Sequence, residues 1–441
     1  MAEPKFNAPQ PALLPGHTTS RDGGGDHAAG TRCLLTNRPG EALPFLERAC
    51  ERPGAPAGAW HHLALARHLT RHHAEAVSAY RQAATDPVLA ADPLFLQHGA
   101  RIYREAGLLS EALACADLAV RLRPDDPRIR FTRALIHLMR SDWRQGWEDY
   151  EHRWQGWDRQ EKAPVSPYPR WQGEPPPAGS GLLIHAEQGL GDCLQFARYA
   201  LLARRYFDYV RLLAPAALVP LFQHSFRDRI DVVRLGDEGR NDAGPIAYHS
   251  PLLSLPWALL RQGPFEFAPD PYLFSEPERK RYWLDHLPQG AARIGFVWSG
   301  GSQTAAPARD IPLDALKPLL VQPNLHFVSL QHNLRLRGGS VSDPLACGGD
   351  FADTAAIVAN LDLVVSVDTS VAHLAGAMGN RVILLNRYES EWRWGRGTDH
   401  CPWYPTMQIL TQPTPGDWAS VVGRCIELLS PQAQRFRSTT G

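Results

Sequence analysis

Residues 364–377 read VVSVDTSVAHLAGA. An apolar, β-branched run ends at Asp368, and a helical pattern of small residues follows from Ser370. A strand that turns directly into a helix brings hydroxyl groups, unpaired N–H groups and the positive end of the helix dipole to one place. Such a place suits a phosphate group, so Asp368, Thr369, Ser370 and His373 are candidate residues for binding a phosphate-bearing substrate. The alternative is a simple helix cap followed by a structural histidine.

A second strand-turn-helix pattern lies upstream at residues 182–192, LLIHAEQGLGD. Gly189 and Gly191 allow a tight turn and a close approach of a ligand to the backbone. Asp192 then stands at the start of a helix, where a carboxylate can act as a general base toward an acceptor hydroxyl. The alternative is that Asp192 only caps the helix. The pattern lacks the third glycine of a dinucleotide-binding fingerprint.

Two further stretches carry candidate phosphate ligands. Residues 298–302, WSGGS, end a strand pattern, and their Ser299 with the nearby Arg309 can contact a phosphate. Arg393 lies between two tryptophans, where it can neutralise phosphate while the indoles stack on a ring. The alternatives are an ordinary surface loop for the first stretch and a buried aromatic wall for the second.

The composition excludes several classes of protein. The 441 residues suffice for two or three domains, and the 46 basic and 46 acidic residues cancel, which argues against nucleic acid as a partner. The seven cysteines form no Cys-x-x-Cys, so neither a disulfide framework nor a zinc site is predicted. No apolar run approaches the roughly 20 residues that span a bilayer, and no signal-peptide pattern opens the chain. We expect a soluble cytoplasmic protein.

No Asp-x-Asp triplet occurs anywhere in the chain. Many metal-dependent sugar transferases hold a metal–diphosphate with such a pair of carboxylates. Its absence favours neutralisation of phosphate by helix dipoles and arginines, so neither a metal nor a cofactor is expected.

The N-terminal part contains repeats. Four triplets align at residues 40–42, 74–76, 110–112 and 144–146, and their last residues are 34, 36 and 34 positions apart. This period, with small residues at predicted helix crossings, resembles the tetratricopeptide repeat (TPR). We predict a disordered lead-in over 1–22 and helical repeats over 23–160. The last repeat ends in five aromatic residues, Trp143, Trp147, Tyr150, Trp154 and Trp157, of which the first four share one helical face. This group either packs the repeat array against the next domain or stacks on a sugar.

The remainder of the chain alternates short apolar runs with helical patterns. A proline-rich linker is predicted over 161–180, followed by one α/β region over 181–275 and a second over 290–430. Alternating β and α elements indicate parallel sheets with crossover helices. The predicted fold class is therefore α plus α/β, with an N-terminal helical solenoid before two Rossmann-type α/β domains. Ligands are expected beyond the carboxyl ends of the strands.

The α/β part resembles bacterial glycosyltransferases of the heptosyltransferase type (glycosyltransferase family 9), which have the GT-B fold. The Gly-Asp turn of that family, which supplies the catalytic aspartate, matches Gly191-Asp192. The family's Asp-Thr-Gly-x-x-His segment, which binds donor phosphates, matches residues 368–373, with Ser370 in place of glycine. Arg309 stands where the family has a lysine. The resemblance implies an inverting transfer from a nucleotide-sugar donor.

The whole layout resembles bacterial TPR glycosyltransferases, including some proposed to modify flagellin. Because repeat arrays present concave surfaces to proteins, a protein acceptor or partner is expected on residues 23–160. Two alternatives stay open. One is a lipopolysaccharide- or glycan-building enzyme that uses its repeats for assembly into a complex. The other is a non-catalytic scaffold with a retired transferase domain.

Overall fold

The structure, a computed structural model, describes residues 24–156, 163–237, 244–300, 307–332 and 341–439. Its described residues form two compact units. The helical unit contains residues up to 156 together with residues 389–396, and the α/β unit contains residues 163–388 and those from 397 onward. Both predicted α/β regions therefore lie within one unit. The predicted lead-in and Trp157 lie outside the described residues.

The helical unit is built from antiparallel helices that pack as consecutive pairs, as the repeats predict. In chain order the helices are α1 (Gly24–Leu35), α2 (Pro39–Glu51), α3 (Ala57–Leu69), α4 (His73–Ala83), α5 (Pro87–Ala90), α6 (Pro93–Glu105), α7 (Leu109–Leu122), α8 (Pro127–Met139), α9 (Trp143–Tyr150) and α10 (Arg153–Gly156). The main pairs are α1 with α2, α3 with α4, α6 with α7 and α8 with α9.

Caps and small residues explain why the helical unit folds in this way. Proline is the first residue of α6 and α8, where it needs no N–H partner, and Asp92 and Asp126 cap these helices. The helices of neighbouring repeats can approach because Gly99 has no side chain. A Cβ atom at this position would lie 2.1 Å from the hydroxyl of Tyr80. The repeated small residues are therefore packing positions.

Residues 389–396 complete the core of the helical unit. The Glu389 carboxylate accepts hydrogen bonds from the Arg71 guanidinium at 2.7 and 2.9 Å and pairs with His73 Nε2 at 2.5 Å. Burial alone would raise the pKa of Glu389, but the bonds from His73 and Arg71 outweigh it and lower the pKa. Trp392 meets the fully buried Trp147 edge to face, at 5.5 Å between ring centroids. The aromatic face of α9 thus serves packing.

Neutral histidine pairs make the helical unit sensitive to acid. His62 Nδ1 lies 2.9 Å from His27 Nε2, and His98 Nδ1 lies 3.0 Å from His61 Nε2. Burial lowers the pKa of both His62 and His98 to about 3. The unfolded chain therefore binds more protons than the folded chain between pH 6.5 and about pH 3, and stability falls as the pH drops through this window.

We expect each of these two histidines to cost about 2 kcal/mol of unfolding free energy at pH 5 relative to pH 7.5. Urea denaturation followed by far-ultraviolet circular dichroism at the two pH values measures the loss. A His62→Asn variant serves as the control, because it should lose only the share of about 2 kcal/mol that His62 contributes to the pH dependence. Equal stability of the wild-type protein at both pH values would contradict the assignment of neutral buried histidines.

The first half of the α/β unit is a four-stranded parallel sheet with strand order β3-β2-β1-β4. Its strands are β1 (Gly181–His185), β2 (Tyr209–Ala214), β3 (Asp231–Arg234) and β4 (Ile246–Pro251), and its helices are α11 (Leu190–Ala203), α12 (Val219–Phe226) and α13 (Leu255–Leu260). Part of the predicted linker belongs to this half. The backbone of residues 169–171 pairs with His249, and Trp171 is buried.

The second half is a six-stranded parallel sheet with order β10-β9-β8-β5-β6-β7. Its strands are β5 (Ala292–Val297), β6 (Leu325–Ser329), β7 (Val341–Ser342), β8 (Leu363–Ser366), β9 (Val382–Asn386) and β10 (Met407–Thr411). Its helices are α14 (Pro277–His286), α15 (Leu313–Leu320), α16 (Phe351–Val358), α17 (Ser370–Ala377) and α18 (Trp418–Thr439). The predicted fold class, helical repeats followed by a GT-B-like pair of Rossmann-type halves, is confirmed.

The strand orders identify where ligands should bind. In the first sheet β2 and β3 are added on one side of β1, and β4 is then added on its other side. In the second sheet β6 and β7 are added on one side of β5, and β8 is then added on its other side. In open α/β sheets the crevice at the carboxyl ends of such strands is the usual ligand site. The candidate residues at 189–192, at 299 and at 368–373 directly follow β1, β5 and β8. None of the helices in the described ranges combines the length and apolar character needed to cross a bilayer.

Candidate functional site

The turn after β1 holds Asp192 in a fixed orientation. Gln188 adopts a left-handed backbone conformation with φ of 61°, which bends the chain sharply at the end of the strand. The backbone N–H of Gly189 then donates to Asp192 Oδ2 at 3.0 Å. The carboxylate is half-buried at the start of α11. Asp192 therefore caps its helix, as the structural alternative requires, and the same bond orients the carboxylate that catalysis would need.

A buried carboxylate supports this turn from behind. Glu187 is 8% exposed, and its Oε1 accepts the backbone N–H of Leu253 at 2.9 Å. Leu253 lies in the short 3-10 helix that follows β4. The bond ties the turn after β1 to the chain after β4, the two strands that flank the crevice of the first sheet. The turn that precedes Asp192 is thus tied to the chain after β4.

The turn after β8 presents hydroxyl groups to the crevice of the second sheet. Thr369 is the N-terminal cap residue of α17, but its side chain makes no capping hydrogen bond to the helix. Its Oγ1 lies 2.9 Å from Ser366 Oγ, which in turn donates to the Val367 carbonyl. Asp368, Thr369 and Ser370 are all half-buried. The start of α17 can therefore offer N–H groups and hydroxyls to an anion.

The turn after β5 is held by two polar side chains that the sequence interpretation did not select. Asp310 accepts the Ser299 hydroxyl at 2.9 Å and the Gly300 backbone N–H at 2.9 Å. Gln331, at the end of β6, accepts the Ser299 N–H at 3.2 Å and donates to the Ser299 carbonyl at 3.1 Å. Ser299 is thus fixed next to the β5–β8 crevice. Gly301 and Ser302 of the predicted loop lie outside the described residues.

Arg309 lies directly over the turn after β5. A Cβ atom built on Gly300 would be 2.6 Å from the Nε atom of Arg309, so a side chain here would displace the guanidinium. The structure therefore brings the Arg309 guanidinium to the backbone of the predicted phosphate loop. The contact places a cation next to the candidate phosphate loop.

The two halves of the α/β unit meet at the candidate turns. A Cβ atom built on Gly191 would lie 3.0 Å from His373 Cδ2, 3.6 Å from His373 Nε2 and 3.6 Å from Ser370 Cα. The absence of a side chain at Gly191 is what lets α11 approach α17 at this point. The turn that carries Asp192 and the start of α17 are therefore in van der Waals contact.

A buried arginine joins the two halves beside this contact. Arg198 of α11 is 2% exposed and donates to the carbonyls of Phe267 and Trp403, each at 2.8 Å. Its guanidinium also lies over the rings of Tyr272 and Tyr404, at 4.7 and 4.8 Å from their centroids. Phe267 and Tyr272 belong to the connection between the halves, and Trp403 to the second half. The Arg198 side chain thus links the first half by hydrogen bonds to the connection and to the second half.

Arg393 belongs to the helical unit, whereas the other candidates belong to the α/β unit. Its Nη1 donates to Glu391 Oε1 at 2.7 Å, and its guanidinium lies 4.3 Å from the Trp392 ring centroid. These contacts fit a packing role for Arg393 among buried aromatic residues better than a role in binding the donor. Among the residues that the structure describes, no group of three or more His, Cys, Asp or Glu side chains is arranged to hold a metal ion.

The comparison with protein families matches residues 344–423 to glycosyltransferase family 9 (heptosyltransferase). This segment contains the candidate phosphate-binding turn at 368–373, whereas Asp192 lies outside it. The match confirms that this part of the chain resembles glycosyltransferase family 9, as the sequence predicts. It also confirms the predicted class of protein, a glycosyltransferase.

A relative and two solved structures extend the comparison. Protein FlbA of Caulobacter vibrioides is 28% identical over 73% of this chain, which spans 58% of the length of FlbA. The glycosyl transferase family 9 structure from Veillonella parvula is 11% identical and covers 58% of this chain and 98% of that chain, with a TM-score of 0.42. The O-GlcNAc transferase of Thermobaculum terrenum is 14% identical over 95% of this chain and 94% of that chain, with a TM-score of 0.32. Both structural similarities are distant.

Proposed function

We propose that this protein is a glycosyltransferase that moves a sugar from a nucleotide-sugar donor to a hydroxyl group of a protein acceptor. The donor binds to the second α/β half, the acceptor hydroxyl reaches the first half, and the helical repeats dock the acceptor protein. The reaction inverts the configuration of the sugar and uses no metal ion. A flagellin-like protein is one acceptor that fits this description.

One observation carries the proposal. Gly191, next to Asp192, lies against Ser370 and His373 at the start of α17. The candidate general base at the end of β1 and the candidate anion-binding turn at the end of β8 are therefore close together, which supports a shared site for donor and acceptor. A transferase needs this juxtaposition, because the acceptor oxygen must approach the sugar carbon from the side opposite the departing phosphate.

The donor side supports a diphosphate. Thr369 and Ser370 carry hydroxyl groups and lie at the N-terminus of α17. Ser299 and Arg309 follow the neighbouring strand β5. Helix N-terminal N–H groups and a guanidinium stabilise the negative charge that develops on the leaving diphosphate. This arrangement supplies the charge neutralisation that an Asp-x-Asp metal site supplies in other transferases.

The acceptor side supports an inverting step. Asp192 takes the proton of the acceptor hydroxyl while the oxygen attacks the anomeric carbon. The bond from that carbon to the phosphate oxygen breaks, and its electron pair leaves with the nucleoside diphosphate. A single attack from the opposite face inverts the anomeric configuration. The bond from the Gly189 N–H holds the carboxylate in place for this proton transfer.

A second candidate function is favoured by the description of the matched family, which names heptosyltransferases. In that case the acceptor is a glycan, and the repeats recruit other biosynthetic enzymes. Affinity capture on the full-length protein separates the two functions: recovery of a protein that becomes glycosylated supports the first, and recovery of biosynthetic enzymes alone supports the second.

The proposal is tested by incubating the protein with a panel of nucleotide sugars and measuring release of the nucleotide. We expect one sugar nucleotide to be hydrolysed slowly without acceptor and faster with acceptor protein. The same donor should raise the midpoint of thermal unfolding, since it binds only the folded state. Failure of every nucleotide sugar in both measurements would instead indicate a non-catalytic scaffold.

Replacing Arg309 by alanine is expected to raise the KM for the donor about tenfold or more, since a charge-assisted bond to phosphate contributes about 1.5–3 kcal/mol. Steady-state kinetics with varied donor concentration measure the change. Lys317→Ala is the matched control, because Lys317 is an exposed cation of the same half that pairs with Asp314. An unchanged KM in Arg309→Ala would remove Arg309 from the donor site.

A further inference from the structure

The carboxylate of Asp310 fills the hydrogen-bonding sites of the turn after β5. Its Oδ2 atom accepts the Ser299 hydroxyl at 2.9 Å, and its Oδ1 atom accepts the Gly300 backbone N–H at 2.9 Å. The third donor of these two residues, the Ser299 N–H, is bonded to Gln331 Oε1 at 3.2 Å. Each donor of residues 299–300 therefore already has an oxygen partner within the protein.

The two side chains that bond this turn differ in their burial. Gln331 is 5% exposed and bonds Ser299 on both sides, because its amide also donates to the Ser299 carbonyl at 3.1 Å. Asp310 is only half-buried. The backbone beside it is held separately, since the Ile311 N–H donates to the Trp298 carbonyl at 2.9 Å. Rotation of the Asp310 side chain into solvent would thus release two donors and leave the backbone of the turn in place.

A phosphate bound at this turn would meet the Asp310 carboxylate. Carboxylate and phosphate are both anionic acceptors and prefer the same N–H and O–H donors. The Nε atom of Arg309 lies 2.6 Å from a Cβ atom built on Gly300, so a phosphate bound to Arg309 arrives beside the donors that Asp310 holds. Two anions cannot share these donors, and their like charges repel each other.

We propose that Asp310 competes with the donor diphosphate for the Ser299 hydroxyl and the Gly300 N–H. This competition lowers the affinity of the protein for the donor and for the nucleoside diphosphate that leaves after transfer. The role rests on the proposed function. When the product leaves, the carboxylate bonds both donors again, so neither is left without a partner in a largely buried turn.

Calorimetric titration of the full-length protein with ADP, GDP, UDP and CDP tests this role. Asp310→Ala should tighten the binding of the diphosphate that binds by about tenfold, because it frees two donors and removes a negative charge. Asp310→Asn should tighten it only about threefold, since the amide oxygen still accepts one of the donors. The matched control is Asp314→Ala, which removes an exposed carboxylate of the same half that pairs with Lys317, and it should change Kd less than about twofold.

Ser299→Ala separates competition from a general effect of charge. In the otherwise wild-type protein it should change Kd less than about twofold, because the lost bond to phosphate is balanced by the lost bond to Asp310. In the Asp310→Ala protein the same substitution should weaken binding about fivefold. Equal effects of Ser299→Ala in the two backgrounds would overturn the competition.

The remaining outcomes also decide the role of Asp310. Thermal unfolding verifies that each variant is folded, and Asp310→Asn decides the question if Asp310→Ala is not. Unchanged or weaker binding by the folded variant would overturn the competition and leave Asp310 as a support of the turn. If no diphosphate binds to the wild-type protein or to either Asp310 variant, the donor site of the proposed function fails as well.

Discussion

Asp192→Asn is expected to lower kcat by about 10²–10⁴-fold, the usual contribution of a positioned general base. Asparagine has nearly the same shape, and its side-chain oxygen can still accept the Gly189 N–H that the carboxylate accepts now. The helix cap should therefore survive while the proton acceptor is lost. Steady-state kinetics and titration with nucleotide should show the loss in kcat with an unchanged Kd for the nucleotide.

The control for this variant is Asp208→Asn. Asp208 belongs to the same half and accepts the backbone N–H of Gly179 at 2.7 Å, so it shares the type of contact without a place in the cleft. Its kinetics should match those of the wild-type protein. An Asp192→Asn enzyme that retains more than half of the wild-type kcat would show that Asp192 is only a cap.

Arg198→Met is expected to destabilise the α/β unit by at least about 3 kcal/mol, because carbonyls that the guanidinium now satisfies stay buried at about 1–3 kcal/mol each. These acceptors include the carbonyls of Gln195, Phe267 and Trp403. For a unit of this size the loss lowers the unfolding temperature by about 2–4 °C per kcal/mol. Differential scanning calorimetry measures the change.

Arg205→Met provides the comparison for this effect. Arg205 lies just beyond the end of the same helix, but it is exposed and pairs with the exposed Glu266 at 2.7 Å. Surface pairs of this kind contribute about 0–1 kcal/mol, so its unfolding temperature should change little. Equal destabilisation by the two variants would mean that Arg198 does not hold the halves together.

The strands of the two sheets illustrate what the sequence can predict. The apolar runs that become β1, β2, β3, β5, β6, β8 and β9 were recognisable because parallel strands are buried on both faces. Three of the four edge strands, β4, β7 and β10, were not predicted, whereas the edge strand β3 was. β4 ends in Pro251 and has half-buried residues at its start, and β7 has only two residues. The apolar pattern of β4 and β7 is therefore too weak or too short to be recognised in the sequence.

The candidate site shows a similar division. The turns at 189–192 and 368–373 were found because strand, turn and helix follow one another within a few residues. Asp310 and Gln331 were missed because their role depends on tertiary contacts with the turn after β5, where both bind Ser299. A local signal existed only for Gln331, a polar residue at the end of a buried strand next to β5. Tertiary contacts decide the rest.

The claim that the turns of the two halves form one donor and acceptor cleft is tested most directly by calorimetric titration with nucleoside diphosphates. We expect one of ADP, GDP, UDP and CDP to bind with 1:1 stoichiometry. Thr369→Val should weaken that binding about tenfold, since it removes one hydroxyl contact to phosphate. No binding by any of the four, or binding that Thr369→Val leaves unchanged, would contradict the assignment.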